Sequence, residues 1–211
     1  VEIMGDPEGP GMEIEVAINS HNIPVVWPED TLAEAAVLGG EVAEADKVGR
    51  TDYRDLNLIT IDGEDAQDFD DAVYCERQEN GWKLYVAIAD VSHYVPVGSA
   101  LDREAELRAT SVYFPGRVVP MLPESISNGL CSLNPHVDRL SMVCEMDINA
   151  QGVVVSHDFK EGVFHSKART TYTQVAAMLD GDAAMQEPFS QVSEAVRQLH
   201  NRFKVLRKAC Y

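Results

Sequence analysis

Short apolar runs rich in β-branched and aromatic side chains recur along this chain, separated by clusters of turn-forming residues. Leu56-Asn-Leu-Ile-Thr-Ile61 and Ala72-Val-Tyr-Cys75 have the composition of strands. Trp82 to Ala89 reads as a further strand that pairs with Asp71 to Gln78 across Glu79-Asn-Gly81, where Asn-Gly is a strong hairpin signal. Met142 to Ile148 and Val153 to Val163 form a second expected hairpin around Asn149-Ala-Gln-Gly152. Helical signals are fewer. Ser99 is placed to cap a short helix, with Asp102 three residues on as a looser form of the capping box. Thr173 to Leu179 reads as a short helix ending near Gly181. Val192, Ala195, Val196, Leu199, Phe203 and Leu206 follow helical spacing, with Pro188 near the start. These elements predict an α+β fold, a mixed, largely antiparallel sheet with flanking helices.

Nearer the N-terminus, Gly5-Asp-Pro-Glu-Gly-Pro-Gly11 is a turn, and Met12-Glu-Ile-Glu-Val-Ala-Ile18 alternates apolar and acidic residues as a half-buried strand does. That pattern predicts a β-barrel remnant, the last strand of a small barrel, within residues 1–28. Glu29 to Lys47 is dominated by Ala and Glu, so 29–50 is expected to be a linker with helical content, interrupted at Gly39-Gly40. The chain opens at Val1, and its last helical pattern meets no Gly or Pro before Tyr211. Both ends fit a segment of a longer protein, with residues 51–211 forming the main domain.

Composition bounds the function. The chain has 211 residues, 45% of them hydrophobic, enough for one large domain or slightly more. Its net charge of -18 and pI near 4.5 are the opposite of a nucleic-acid-binding footprint, because affinity for a phosphate backbone comes mainly from Lys and Arg. Cys75, Cys131, Cys144 and Cys210 form no CxxC pair, which favours free thiols in a reducing cytoplasm over zinc or disulfides. No signal peptide or membrane span is evident, so a cytoplasmic protein without a membrane partner is expected.

The candidate chemistry lies in Asp62-Gly-Glu-Asp-Ala-Gln-Asp-Phe-Asp-Asp71, six carboxylates with no base among them, between two strand-like runs. Such crowding raises carboxyl pKa values unless a counter-charge is supplied, and hard divalent ions are the usual one. A solvated acidic loop is the plain alternative. The spacing argues against it. Asp62 ends one strand, Asp71 leads into another, and Asp68 and Asp70 share a face of an extended chain. No Gly follows the third acid and no closing Glu is in place for an EF-hand. Gly63 and the β-rich flanks oppose a helical DDxxD site.

Leu58-Ile-Thr-Ile-Asp-Gly-Glu-Asp-Ala-Gln-Asp-Phe-Asp-Asp-Ala-Val73 resembles the active-site signature of the ribonuclease II/R family. The resemblance continues, in the family's order, through Val86-Ala-Ile-Ala-Asp-Val-Ser-His93, Thr110-Ser-Val-Tyr-Phe-Pro-Gly116, Pro120-Met-Leu-Pro123 and Ser127-Asn-Gly-Leu-Cys-Ser-Leu-Asn-Pro135. It implies a processive 3′-to-5′ exoribonuclease that releases nucleoside 5′-monophosphates, acting on the 3′ end of single-stranded RNA. It also implies that residues 51–211 are the N-terminal part of a truncated catalytic domain, preceded by the end of a cold-shock-like barrel that includes His21-Asn-Ile-Pro24. Downstream catalytic and oligonucleotide-binding parts of the same parent chain would carry the missing cations.

Carried over by position, the resemblance makes Asp62, Asp68, Asp70 and Asp71 the catalytic carboxylates. Asp62, Asp68 and Asp71 would hold Mg2+, with Mn2+ as a possible substitute, and Asp70 would orient the attacking water. Glu64 and Asp65 would add only to the local field. Tyr113 resembles the family aromatic that stacks on a base near the RNA 3′ end, with Phe114 packing on the other side. Arg169 and Tyr172 either contact RNA phosphate or brace the site. Gln67 stands where relatives commonly carry Arg, removing a cation beside the acids. His93 is expected to end a strand near the acids, in a structural role. The competing reading is a degenerate family member that binds partners or RNA without cutting. Retention of all four acids argues against it.

Overall fold

A computed structural model describes residues 11–209, less the side chains of residues 185, 203 and 205–209. In chain order the helices are α1 (Met12–Ser20), α2 (Glu29–Leu38), α3 (Val91–Tyr94), α4 (Ala100–Arg108), α5 (Tyr172–Asp180), α6 (Ala183–Gln186) and α7 (Ser193–Ala209). The strands are β1 (Thr51–Asp52), β2 (Ile59–Asp62), β3 (Asp71–Gln78), β4 (Gly81–Ala89), β5 (Val112–Phe114), β6 (Arg117–Val119), β7 (Asp138–Asn149), β8 (Val154–His165) and β9 (Ala168–Thr171). The chain divides into two compact units, one formed by residues 1–39 and 92–127, the other by residues 40–91 and 128–211.

The larger unit is built on a seven-stranded sheet in the order β1-β8-β7-β4-β3-β2-β9, antiparallel except where β1 joins β8 and β2 joins β9. Alternation sends successive residues to opposite faces. Leu58, Ala72, Ala87 and Val143 enter a core with Tyr53, Phe69, Tyr85 and Phe164. Their neighbours Ile59 and Val73 face the other way, against Met178 of α5 and Val192 and Val196 at the start of α7. Both faces of β2 and of the start of β3 are therefore packed, which accounts for the near-continuous apolar sequence on either side of the acids.

The hairpins form where the turn chemistry predicts. β3 and β4 stay in register from Asp71 opposite Ile88 to Gln78 opposite Gly81. Gly81 is demanded by a neighbour as well as by the turn, since a Cβ there would lie 2.0 Å from the Ile148 carbonyl oxygen on β7. β7 and β8 pair as expected around Asn149, whose side chain accepts from the N–H groups of Gln151 and Val153 at 3.0 Å each. α5 ends at Gly181 as expected, and its N-terminus carries a complete capping box between Thr171 and Gln174. The C-terminal helix begins at Ser193, five residues beyond Pro188. Residues 210–211 lie outside the described residues, as does most of the expected turn at Gly5–Gly11. Cys75, Cys131 and Cys144 are free thiols; burial pushes Cys75 up to about 11 and Cys131 up to about 12, which leaves both unreactive. Among the described residues no helix is long and apolar enough to cross a membrane.

The smaller unit packs α2 against α4. Leu101 N–H donates to Glu34 at 3.0 Å, and Ser99 caps α4 by accepting from Asp102 N–H at 3.1 Å. Buried Arg108, at the end of α4, pairs with Glu104 at 2.8 Å, donates to the carbonyls of Pro120 and Val26, and stacks on Trp27 with 3.4 Å to the ring centroid. The β5–β6 hairpin turns at Pro115-Gly116, where Gly116 takes a φ of 74° that L side chains rarely adopt.

Two expectations fail here. Met12–Ser20 is a helix, so the predicted barrel strand and the β-barrel remnant it stood for are absent from these residues. A strand would have buried Ile14, Val16 and Ile18 together; the helix buries Ile18, half-buries Ile14 one turn away and leaves Val16 exposed. Glu13 and Glu15 in the first turn favour the helix through its dipole. His93 does not end a strand. β4 stops at Ala89, and His93 lies exposed in the short α3, edge-on to Tyr94.

The sheet carries one concentrated polar cluster. Glu145 on β7 accepts from Tyr53 at 2.6 Å and pairs with Lys83 at 2.7 Å and Lys160 at 3.0 Å. Burial pushes its carboxyl up, but these three donors outweigh it and hold it at about 2, against an ordinary 4.5. A carboxylate held low stabilises the folded state above its unfolded pKa, and the contribution drains away as pH falls toward the folded value. Glu145→Gln should cost about 1–3 kcal/mol at pH 7. In urea titrations the wild-type advantage should be complete above pH 4.5 and shrink as pH falls toward 2.

Candidate active site

β2 ends at Asp62 and β3 begins at Asp71, and the two strands are hydrogen-bonded antiparallel neighbours. Strand geometry therefore brings these two acids to the same end of the sheet. The Asp70 carbonyl accepts from Ala89 N–H at 2.8 Å, which fixes Asp70 against the end of β4. Asp68 is half-buried in the intervening loop, while Glu64 and Asp65 point to solvent.

The four aspartates act on one another electrostatically. Burial first, then the charges of Asp71 and Asp68, raise the Asp62 carboxyl above the ordinary carboxylate range, and Arg169 opposes the rise. Asp70 is raised as well, by the protein packed around its carboxyl and then by Asp68, Asp71 and Asp62. One oxygen of Asp62, Oδ2, is buried and has no hydrogen-bond donor. A buried oxygen facing other carboxylates is costly unless a proton or a cation meets it. Among the described residues no three His, Cys, Asp or Glu side chains stand in metal-ligand geometry. In its chemistry the donor set nonetheless suits a hard divalent ion, being all carboxylate oxygen and including one buried acceptor without a donor.

The remaining predicted residues are placed as follows. Arg169 on β9 donates to the Ala66 carbonyl at 2.8 Å, and its guanidinium lies 4.4 Å from the centroid of the Phe69 ring, so it grips the acidic loop from outside. Tyr172 opens α5 and is exposed; it follows Thr171, the β9 partner of Asp62. Tyr113 sits on the β5–β6 hairpin of the smaller unit, 64% exposed, with Phe114 half-buried beside it. Gln67 is exposed, and its side chain accepts from Asn128 at 3.3 Å.

Sequence reasoning missed what holds the loop in place. The hydroxyl of Ser132 accepts from Phe69 N–H at 3.0 Å and donates to the Gln67 carbonyl at 3.1 Å. Leu133 N–H donates to the Phe69 carbonyl at 2.8 Å. Buried Arg139 on β7 donates in turn to the carbonyls of Ser132 at 2.8 Å, Asp138 at 2.9 Å and Gly129 at 3.0 Å. Ser132 lies within the Ser127–Pro135 segment quoted above, so the signal was present without a role attached to it.

The fold thus gathers the predicted acids at paired strand ends of a mixed sheet, with a serine from a distant segment supporting the loop between them. Residues 50–209 match the model of the RNB domain, and the chain belongs to that family. It is 54% identical over 210 residues to Ribonuclease R of Escherichia coli (strain K12), covering 99% of this chain and 26% of that protein. Mycoplasma genitalium RNase R in complex with ribose methylated single-stranded RNA shares the fold at a TM-score of 0.89 and 31% identity, covering 99% of this chain and 32% of that one. Yeast Ssd1, a pseudonuclease, shares it at a TM-score of 0.72 and 19% identity, covering 86% of this chain and 23% of that one. The chain thus spans about a quarter of the length of the Escherichia coli relative.

The raised carboxyl of Asp62 has a stability consequence. A carboxyl raised in the folded state stabilises it below the unfolded pKa, and that stability is lost as pH rises through the folded value. In chelator, Asp62→Asn should therefore be the more stable protein at pH 8, by about 1 kcal/mol. Its advantage over wild type should fade as pH is lowered. Thermal melts of the two proteins at pH 4 and pH 8 with EDTA check this.

Proposed function

We propose that this chain supplies the acidic half of a divalent-metal-dependent 3′-to-5′ exoribonuclease that degrades single-stranded RNA processively to nucleoside 5′-monophosphates. The observation that carries the reading is the buried Asp62 oxygen without a donor, within the electrostatic reach of Asp71 and Asp68, in a chain of the RNB-domain family. The relative from Mycoplasma genitalium, solved with single-stranded RNA, supports RNA as the ligand class.

Asp62, Asp68 and Asp71 would hold Mg2+, or Mn2+ in its place, and the ion would supply hydroxide near neutral pH and a positive field for the phosphorane-like transition state. The chain's own residues do the positioning. Asp70, accessible and with a raised carboxyl, accepts a hydrogen bond from the attacking water and aims it at the terminal phosphodiester. Tyr113 offers an exposed ring on which any base can stack, which suits an enzyme indifferent to sequence. Arg169 braces the loop through Ala66 and Phe69 and offsets part of the charge on Asp62; with Tyr172 it borders the acidic strand ends where RNA phosphate would approach. Free thiols and RNA as substrate both suit the cytoplasm.

A non-cutting member of the family is the second reading, favoured by the shared fold of a pseudonuclease. All four aspartates are present here, and one of them carries the unpaired buried oxygen that a cation would satisfy. That favours hydrolysis.

In a protein that extends this chain to the length of its relatives, Asp70→Asn should slow single-turnover hydrolysis by at least about 10²-fold. RNA affinity should stay within about twofold, because binding is spread over stacking and phosphate contacts. Near-normal cleavage by this variant would remove Asp70 from the mechanism. A net charge of -18 leaves the 211-residue chain little to hold a polyanion. Assayed side by side on a 3′-tailed single-stranded RNA, the chain alone should release nucleoside monophosphates far more slowly than the extended protein. Equal rates would show that the site is complete within these residues.

A further inference from the structure

We infer that Ser132 and Arg139 are positioning residues for the divalent-cation site at Asp62, Asp68 and Asp71, an inference that rests on the reading proposed above. Asp68 lies in a loop for which one internal backbone bond is described, Ala66 N–H to the Gly63 carbonyl at 3.3 Å. The peptide groups on either side of Asp68 are held from elsewhere, by a single hydroxyl. Ser132 Oγ takes the Phe69 N–H at 3.0 Å and gives its own proton to the Gln67 carbonyl at 3.1 Å. Both its donor and an acceptor site are used, so it staples the backbone before and after the acid. Leu133 adds the 2.8 Å bond to the Phe69 carbonyl, and the Phe69 ring is buried in the core, so the staple is anchored on two sides.

Ser132 is itself immobilised. Arg139 is the second residue of β7, paired with Phe164 of β8, and its guanidinium forks onto the Ser132, Asp138 and Gly129 carbonyls. Arginine can do this because its donors diverge in a plane; a lysine ammonium has no such fork. The result is a continuous rigid connection from β7 through Arg139 and Ser132 to the two peptides flanking Asp68. Metal-ligand distances tolerate only a few tenths of an ångström, so the backbone that carries a ligand must be fixed to about that precision. Partners behind the ligands typically change metal affinity by 10–100-fold when removed. The hydrogen bonds described for the Ser132 hydroxyl and the Arg139 guanidinium go to backbone, which gives both a positioning role.

The test is Mg2+ titration of the full 211-residue chain by calorimetry, for wild type, Ser132→Ala and Arg139→Lys, with circular dichroism confirming the folded state at the working temperature. Each substitution should raise the Mg2+ Kd about tenfold. A wild-type Kd in a folded Ser132→Ala protein, accompanied only by a lower Tm, would reduce Ser132 to a structural residue and overturn the inference. If Ser132→Ala does not fold, Arg139→Lys decides the matter by the same criterion. Failure of the wild-type chain to bind Mg2+ at all would overturn the metal reading itself, a result visible before any substitution is compared.

Discussion

Carboxylates that repel one another must be held together by something other than their own interactions, and this constraint organises the larger unit. Asp62 and Asp71 are brought together by pairing of β2 with β3, Asp70 by the Ala89 N–H, and Asp68 by the Ser132 hydroxyl. Each of these restraints acts on backbone. Burial first, and then this repulsion, raises the carboxyls of Asp62 and Asp70. Such a cluster works against stability, and the packed sheet beneath it offsets that cost.

The strands that carry the acids meet this demand by packing on both faces. Leu58 and Ile59, adjacent in sequence, are both fully buried on opposite sides of β2 just before the chain reaches Asp62. Phe69 does the same inside the loop, sending its ring into the core between Asp68 and Asp70. Apolar anchors thus alternate with acids, and each acid lies within a few residues of a side chain that cannot move without opening the core. Arg169 completes the enclosure by covering the Phe69 ring.

What could be read from the sequence was whatever is encoded locally. Asn80-Gly81 announces the β3–β4 turn, Ser99 sits where a helix start needs an acceptor, and Gly181 ends α5. The acids were legible for the same reason, being crowded into ten consecutive positions. Met12–Ser20 was not, because its alternating apolar residues also satisfy an i, i+4 pattern at Ile14 and Ile18, and the winning pattern depends on packing that the segment does not encode. Ser132 and Arg139 escaped because their partners are backbone atoms. The bond from Ser132 to Phe69 spans 63 residues and asks nothing of the side chain at the other end. Such long-range contacts leave no periodicity to detect.

The acids are distributed over parts of the sheet with unequal resistance to opening. Asp71 is the first residue of the meander β3-β4-β7-β8, whose long antiparallel registers form a large cooperative block. Asp62 lies on a four-residue strand flanked by another four-residue strand, β9. Sub-global fluctuations begin where hydrogen-bonded ladders are short. An opening that began there would act as a hinge, separating Asp62 on β2 from Asp70 and Asp71, which the meander holds. Ligands that bridge the two groups of acids would clamp that hinge shut.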